Sequence, residues 1–272
     1  MNIVVVLRMV PDVVEELEIA PDGKSLDLEF GRMVLSESDD HALEQALLIK
    51  ERMGGTVTAV ALEAPEVDEV LFSALAKGAD RTLKITGPKE GVTTREAAHI
   101  IAQVIASEPG LRGADLVLTG TQAINDLDGL MAPLLSQELS LPFLGIVTGL
   151  LPDFATRIAS ATKEYPRGVR AEFEVALPAV FGIQAAEKPP RYVPVAKVRA
   201  VMKSQKIDCV PSAGMEEPGL SLLQVLEITK PEPSAHSEIL DRRDELVREM
   251  PRLDQAEKCA LGVRRRKHGV RV

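Results

Sequence analysis

The residues best placed to do chemistry lie between Ala114 and Phe143, in the stretch ADLVLTGTQAINDLDGLMAPLLSQELSLPF. Gly120, Asn125, Asp126, Asp128 and Gly129 fall in a loop after a short apolar strand (Leu116, Val117, Leu118). A helix follows, with Leu130, Met131, Leu134 and Leu135 at helical spacing. A strand running into a glycine-bearing loop and a helix start is where α/β proteins bind phosphate or nucleotide, because first-turn amides have no partner inside the helix. The same pattern also describes a connector that only caps a helix, so other segments must decide between them.

Other chemistries find little support. His41, His99, His236 and His268 are scattered without ligand spacing and read as surface or packing residues. Cys209 and Cys259 lie far apart and outside any C-x-x-C, which points to a reducing compartment without zinc or a redox dithiol. Neither G-x-G-x-x-G nor G-x-x-x-x-G-K-[ST] occurs, and the segment after the first strand, Arg8-Met9-Val10-Pro11-Asp12, has no glycine. No nucleophile, general base or metal cluster emerges, so the chain is not expected to be an enzyme. A net charge of −9 and an aromatic content of 3%, with no Trp, argue against nucleic-acid binding. The basic run Arg264 to Lys267 reads as a solvated tail. No apolar run reaches the ~20 residues needed to cross a bilayer. Met1 leads directly into a strand, and a cytoplasmic protein is expected.

The elements that must position the loop form an alternating series. Ile3 to Leu7 is a β-branched run of the kind buried on both faces of a parallel sheet. Residues 12–35 are acidic and turn-rich, suiting an excursion or small hairpin. Ser36-Glu37-Ser38-Asp39-Asp40 then starts a helix, with Ser36 or Ser38 as N-cap and a stripe of Ala42, Leu43, Ala46, Leu47, Ile49 and Met53 ending at Gly54-Gly55. Strand Val57 to Leu62, a helix stopped at Gly78, strand Thr82 to Ile85 and helix Thr94 to Ser107 follow. This predicts an α/β fold, a doubly wound parallel sheet of Rossmann-like type, with the loops after Leu7, Leu62 and Thr119 converging at the carboxyl strand ends. The runs Leu144 to Val147, Arg157 to Thr162, Val169 to Val175 and Ala179 to Ile183 are expected to extend the sheet edge. Gln184 to Pro194 is a proline-rich loop, Val195 to Met202 is helical by pattern, and a helix is expected around Ile239 to Met250. The domain reading is 1–183 for the α/β domain, 184–205 for a loop and short helix, and 206–272 for a C-terminal arm that wraps a partner.

Three segments coincide with one family. Ala74 to Arg81 (ALAKGADR) resembles the ALAxGADR segment of electron transfer flavoprotein β subunits. Gly120-Thr121-Gln122-Ala123-Ile124-Asn125-Asp126 resembles their G-[KR]-Q-A-I-D-D loop, and Leu177-Pro178-Ala179-Val180 with Pro190-Arg191-Tyr192 resembles L-P-A-V and E-P-R-Y. Order and spacing match over roughly residues 2–205. The resemblance implies the adenine nucleotide alpha hydrolase-like version of the fold and a heterodimer with an electron transfer flavoprotein α subunit. It also implies FAD held mostly by the α subunit, AMP or a second FAD against the β subunit, and electron transfer between a dehydrogenase and another redox partner. The residues implied at the nucleotide and flavin are Val6, Ser36, Ser38, Asp39, Leu62, Gly120, Thr121, Gln122, Ala123, Ile124, Asn125, Asp126, Asp128, Gly129 and Leu130. The partner-recognition loop would be Glu187, Pro189, Pro190, Arg191 and Tyr192.

The chain departs from the family pattern at three places. Where the family has a hydroxyl and a Gln amide, this chain has Asp128, whose carboxylate repels phosphate and can cap the helix itself, and Leu130, which cannot donate a hydrogen bond. These changes disfavour AMP. Ser38 replaces the family aromatic that faces the flavin. Glu187 replaces the leucine that anchors dehydrogenase partners, so a different redox partner is expected. A nucleotide-binding regulatory α/β module without redox activity is the alternative.

Overall fold

In a computed structural model of the chain, residues 1–213 are described apart from 15, 28–30, 88–91, 127 and 128, and so are 215 and 225–230. Residues 1–228 form one compact unit and 229–272 a second, in which only Thr229 and Lys230 are described. The expected helix at Ile239 to Met250 lies outside the described residues.

The first unit alternates as the sequence predicts. Strand β1 (Asn2–Val6) leads into an antiparallel ribbon of β2 (Met9–Pro11) with β5 (Met33–Leu35), which encloses a hairpin of β3 (Glu18–Ile19) and β4 (Leu26–Asp27). Helix α1 (Glu37–Met53), β6 (Thr56–Leu62), α2 (Val67–Lys77), β7 (Arg81–Thr86), α3 (Thr94–Ser107), β8 (Leu116–Gly120) and α4 (Met131–Leu139) follow. Then come β9 (Phe143–Val147), β10 (Gly149–Asp153), β11 (Ile158–Tyr165), β12 (Val169–Ala176), β13 (Ala179–Ile183), α5 (Val195–Ser204) and β14 (Asp208–Pro211).

Seven strands form one parallel sheet in the order β14-β7-β6-β1-β8-β13-β9. Ile3 to Val6 have no exposed surface, which is why β1 needs an unbroken apolar run rather than an alternating one. Helices α1 and α2 pack on one face, and α3 and α4 on the other. Strand order reverses between β1 and β8, and the crevice at the carboxyl ends of those two strands is where doubly wound sheets take ligands.

Three expectations need correction. The runs after Pro142 do not simply extend the edge. Strand β13 inserts between β8 and β9 because Ala179 to Ile183 are fully apolar and buried on both faces, while β10, β11 and β12 form a separate antiparallel sheet. Residues 208–211 belong to the main sheet beside β7 rather than to an arm, and Arg81 Nε bonds Asp208 at 2.5 Å across that pairing. Met53 is exposed, because the last turn of α1 has passed the end of the sheet, whereas the rest of its predicted stripe is buried. The ALAKGADR segment is used structurally. Gly78 ends α2 at φ 129° with its amide on Ala74 and Leu75, and Asp80 accepts from the Val57 amide at 2.8 Å.

Candidate functional site

At the point where strand order reverses, a charged network fills the crevice. Arg8 follows β1, Asp39 lies in the first turn of α1, Gly120 ends β8, and Asp126 sits in the loop beyond it. Asp39 has no exposed surface and accepts from Arg8 N (3.2 Å), Arg8 Nε (3.0 Å), Arg8 Nη2 (3.3 Å) and Gly120 N (2.6 Å). Arg8 Nη1 reaches Asp126 Oδ2 at 3.0 Å, and Arg8 and Asp126 side chains are only 11% and 8% exposed. Burial pushes the Asp39 carboxyl up from its ordinary value, and the guanidinium and amide donors around it pull the other way.

The start of α1 lies directly on Gly120. A Cβ there would stand 2.2 Å from Ser38 Oγ and 2.7 Å from the Asp39 amide, so the glycine serves this contact between backbones. Ser36 takes the N-cap position without a side-chain capping bond, and the Ser38 hydroxyl instead donates to the Gln122 carbonyl. A turn closes the loop, with Asp126 N on Ala123 O at 3.0 Å and Gly129 N on Asp126 O at 3.2 Å.

The structure thus brings Ser36, Ser38 and Asp39 together with the Gly120 to Asp126 loop. Gly129 has φ 66°, and a Cβ there would meet Thr121 O at 2.8 Å. Thr121 turns back onto β13, its hydroxyl bonding Gly182 O at 3.3 Å. Asn125 is exposed. Leu130 holds the N-cap position of α4 without a capping bond, and Asp128 lies outside the described residues. Val6 is buried in the sheet and Leu62 half-buried at the end of β6, so neither offers a side chain to the crevice mouth.

Beside this network opens a cleft of about 500 Å³. It is lined by the start of α1 with Ser36, Ser38 and His41, by the β2–β5 ribbon, and by Gln122 to Ile124 with Gln184. Val13 and Ile124 both line it, each more than half exposed. His41, expected as a surface or packing residue, lines this cleft.

The loop after β13 is clasped to α1. Arg191 bonds Glu44 through its amide (3.0 Å), Nε (2.9 Å) and Nη2 (2.8 Å), and Glu51 through Nη1 (2.6 Å). The Glu44 hydrogen bonds push the Arg191 guanidinium above its ordinary value. Glu187 is bonded by Arg52 and by Gln45 Nε2 at 3.0 Å, and chiefly the Arg52 contact holds its carboxyl below the ordinary value. Pro189 is exposed, Pro190 half-buried, and Tyr192 is 84% exposed.

Arg8, His41 and Gln184 are the site residues that the sequence reading missed. A signal existed for Arg8, since it is the first charged residue after an unbroken apolar strand at the sheet's switch point. His41 offered none, because its role depends on a loop about 145 residues away. Among the described residues no group of His, Cys, Asp or Glu could hold a metal ion, and no helix is long and apolar enough to cross a membrane.

The electron transfer flavoprotein domain profile matches residues 28–210. The electron transfer flavoprotein subunit beta of Methylophilus methylotrophus is 31% identical over 195 residues, covering 71% of this chain and 72% of that protein. That of Clostridium acetobutylicum is 31% identical over 200 residues, 73% and 74% of the two chains. The acryloyl-CoA reductase electron transfer subunit gamma of Anaerotignum propionicum is 30% identical over 142 residues, 52% and 53% of the two chains.

Proposed function

The chain belongs to the electron transfer flavoprotein family as a beta subunit, and we propose that it works as the β half of an αβ heterodimer that carries electrons on FAD between a dehydrogenase and another acceptor. The observation that carries this reading is the cleft of about 500 Å³ beside the switch point. It is lined by the exposed aliphatic side chains of Val13 and Ile124 together with polar groups, and it serves as one wall of a site whose other wall is the α subunit.

The side chains suit a flavin ring. Aliphatic contact with a planar ring excludes water, and Val13 and Ile124 offer it in place of the family aromatic that Ser38 lacks. His41, Gln122 and Gln184 offer hydrogen-bonding groups for the ring edge. When bound, the flavin supplies the one- and two-electron chemistry, and the chain's residues position it and shield it. The β subunit is thus a carrier rather than a bond-making catalyst.

The Arg8 network in the crevice disfavours AMP. A phosphate there would need cationic or amide donors, and Arg8 and the Gly120 amide already give theirs to Asp39 and Asp126. Two buried carboxylates also repel a further anion. The recognition loop, with Glu187 engaged by Arg52 and Tyr192 projecting, favours a redox partner other than one that docks on a leucine anchor. The C-terminal stretch past Pro211 is read as an arm that docks on the α subunit.

Coexpression with the α subunit tests the reading. The purified pair is expected to be yellow, and nucleotides released on denaturation are expected to include FAD without AMP. A pair lacking flavin absorbance overturns the assignment, and stoichiometric AMP overturns the reading of the crevice.

A further inference from the structure

The cleft is lined by a histidine whose hydrogen-bonding role is fixed by the fold. The backbone amide of Ala186, which can only donate, points at His41 Nδ1 at 3.2 Å. Nδ1 must therefore carry a lone pair, and a neutral imidazole so held carries its proton on Nε2. Among the described residues Nε2 meets no protein partner, and His41 lines the cleft.

The other polar groups there cannot play the same part. The Ser38 hydroxyl donates to Gln122 O, and Ser36 Oγ is shared with Ser38 at 3.3 Å. Asp12 accepts from the Val14 amide at 3.0 Å, and it and Glu37, as carboxylates, are acceptors only. Gln122 and Gln184 are exposed, and among the described residues no hydrogen bond orients their side-chain amides. His41 Nε2–H is the donor with a set direction.

We propose that His41 donates this hydrogen bond to an acceptor atom, a carbonyl oxygen or aza nitrogen, on the edge of the flavin ring that enters the cleft, and so sets the flavin's reduction potential. The inference rests on the flavoprotein reading above. A donor fixed before the ligand arrives costs no reorientation and favours the more electron-rich reduced ring over the oxidised one. His41 is a positioning and tuning residue and takes no proton or electron. The register of β13 sets the donor, because the Ala186 amide that orients the ring follows that strand by three residues.

The test uses the αβ complex with its FAD. Spectroelectrochemical titration of wild type, His41→Leu and His41→Gln is read for flavin content, absorption spectrum and midpoint potential. His41→Leu is expected to keep its flavin and make reduction roughly tenfold less favourable, about 30 mV lower for a two-electron couple, with His41→Gln, which retains a donor, in between. A fully flavinated leucine complex with unchanged potential and spectrum overturns the role of His41 and leaves the flavoprotein reading standing. A wild-type complex without flavin overturns both. Should the leucine chain fail to assemble, nitrogen-15 NMR of the histidines in the wild-type complex decides. An Nε2–H signal for His41 that moves on flavin reduction supports the proposal, and an Nδ1–H tautomer overturns it.

Discussion

Two arginines grip helix α1, Arg8 at its first turn and Arg191 along its length, and they are buried to different depths. Arg8 and its partners Asp39 and Asp126 are 11%, 0% and 8% exposed, and the charged groups there pair with one another. Arg191 is 29% exposed, with Glu44 nearly buried at 4% and Glu51 open at 56%. The inner network is a closure. It ties β1, α1 and β8 together at the switch point of the sheet. The outer one is a clasp that sets where a surface loop lies and leaves Tyr192 projecting. The same pairing of Arg with carboxylates thus seals one loop and presents another, and desolvation decides which.

The strongest way to break the contrast is at Arg8. Arg8→Leu leaves Asp39 and Asp126 buried without their cation, and removing one partner of a buried pair costs about 3–5 kcal/mol. Urea unfolding of the complex should show a drop of that size with little change in slope. Asp39→Asn, which keeps the shape and loses the charge, should cost less. A drop under ~1 kcal/mol for Arg8→Leu would mean that water reaches the crevice and the closure is not real.

How far this contrast is legible in the sequence follows from what each half depends on. The parallel sheet, helices α1 to α4 and the loop at Gly120 announce themselves through local periodicity and turn chemistry, and the structure places them within a residue or two of expectation. The loop's meaning was less local. Asn125 and Asp128 stand out in the loop itself, whereas the pair that organises the crevice, Arg8 with Asp39, lies 31 residues apart in the chain. Strand β13 is expected at an edge, yet its unbroken apolar run Ala179 to Ile183 is the mark of an interior strand, and pairing with both β8 and β9 makes it one. Glu187 read as a lost apolar anchor, and its bond to Arg52 across 135 residues had no local signature.

A smaller effect is expected at the clasp. Arg191→Ala strips Glu44 of its guanidinium partner while leaving it almost out of water, which costs about 1–3 kcal/mol. The fold should survive, because α1 stays packed on the sheet through Leu43, Ala46 and Leu47. The loop from 184 to 194 should lose its fixed position, so limited proteolysis at Lys188 should quicken well before the core unfolds. Arg52→Ala, at a pair that water already screens, should cost no more than ~1 kcal/mol.

Acid separates the two regions by sign. Glu187 is held below its ordinary value chiefly by Arg52, and Glu51 by Arg191, so each contributes stability that is present above the ordinary glutamate value of about 4.3 and lost as pH falls through the lower folded value. Asp39 is shifted the other way by burial, so the folded state binds its proton more readily than the unfolded chain does, and lowering the pH does not draw stability from it. Between roughly pH 5 and 3 the clasp should therefore loosen first. Hydrogen exchange resolves this, since the amides of Ala186, Glu187 and Arg191 report the clasp and those of Arg8 and Gly120 report the closure. Exchange, corrected for its intrinsic dependence on pH, should rise at the first set by severalfold and hold steady at the second. Loss of protection at Gly120 in step with Arg191 would show that the two grips on α1 act as one unit, and that depth of burial does not distinguish them.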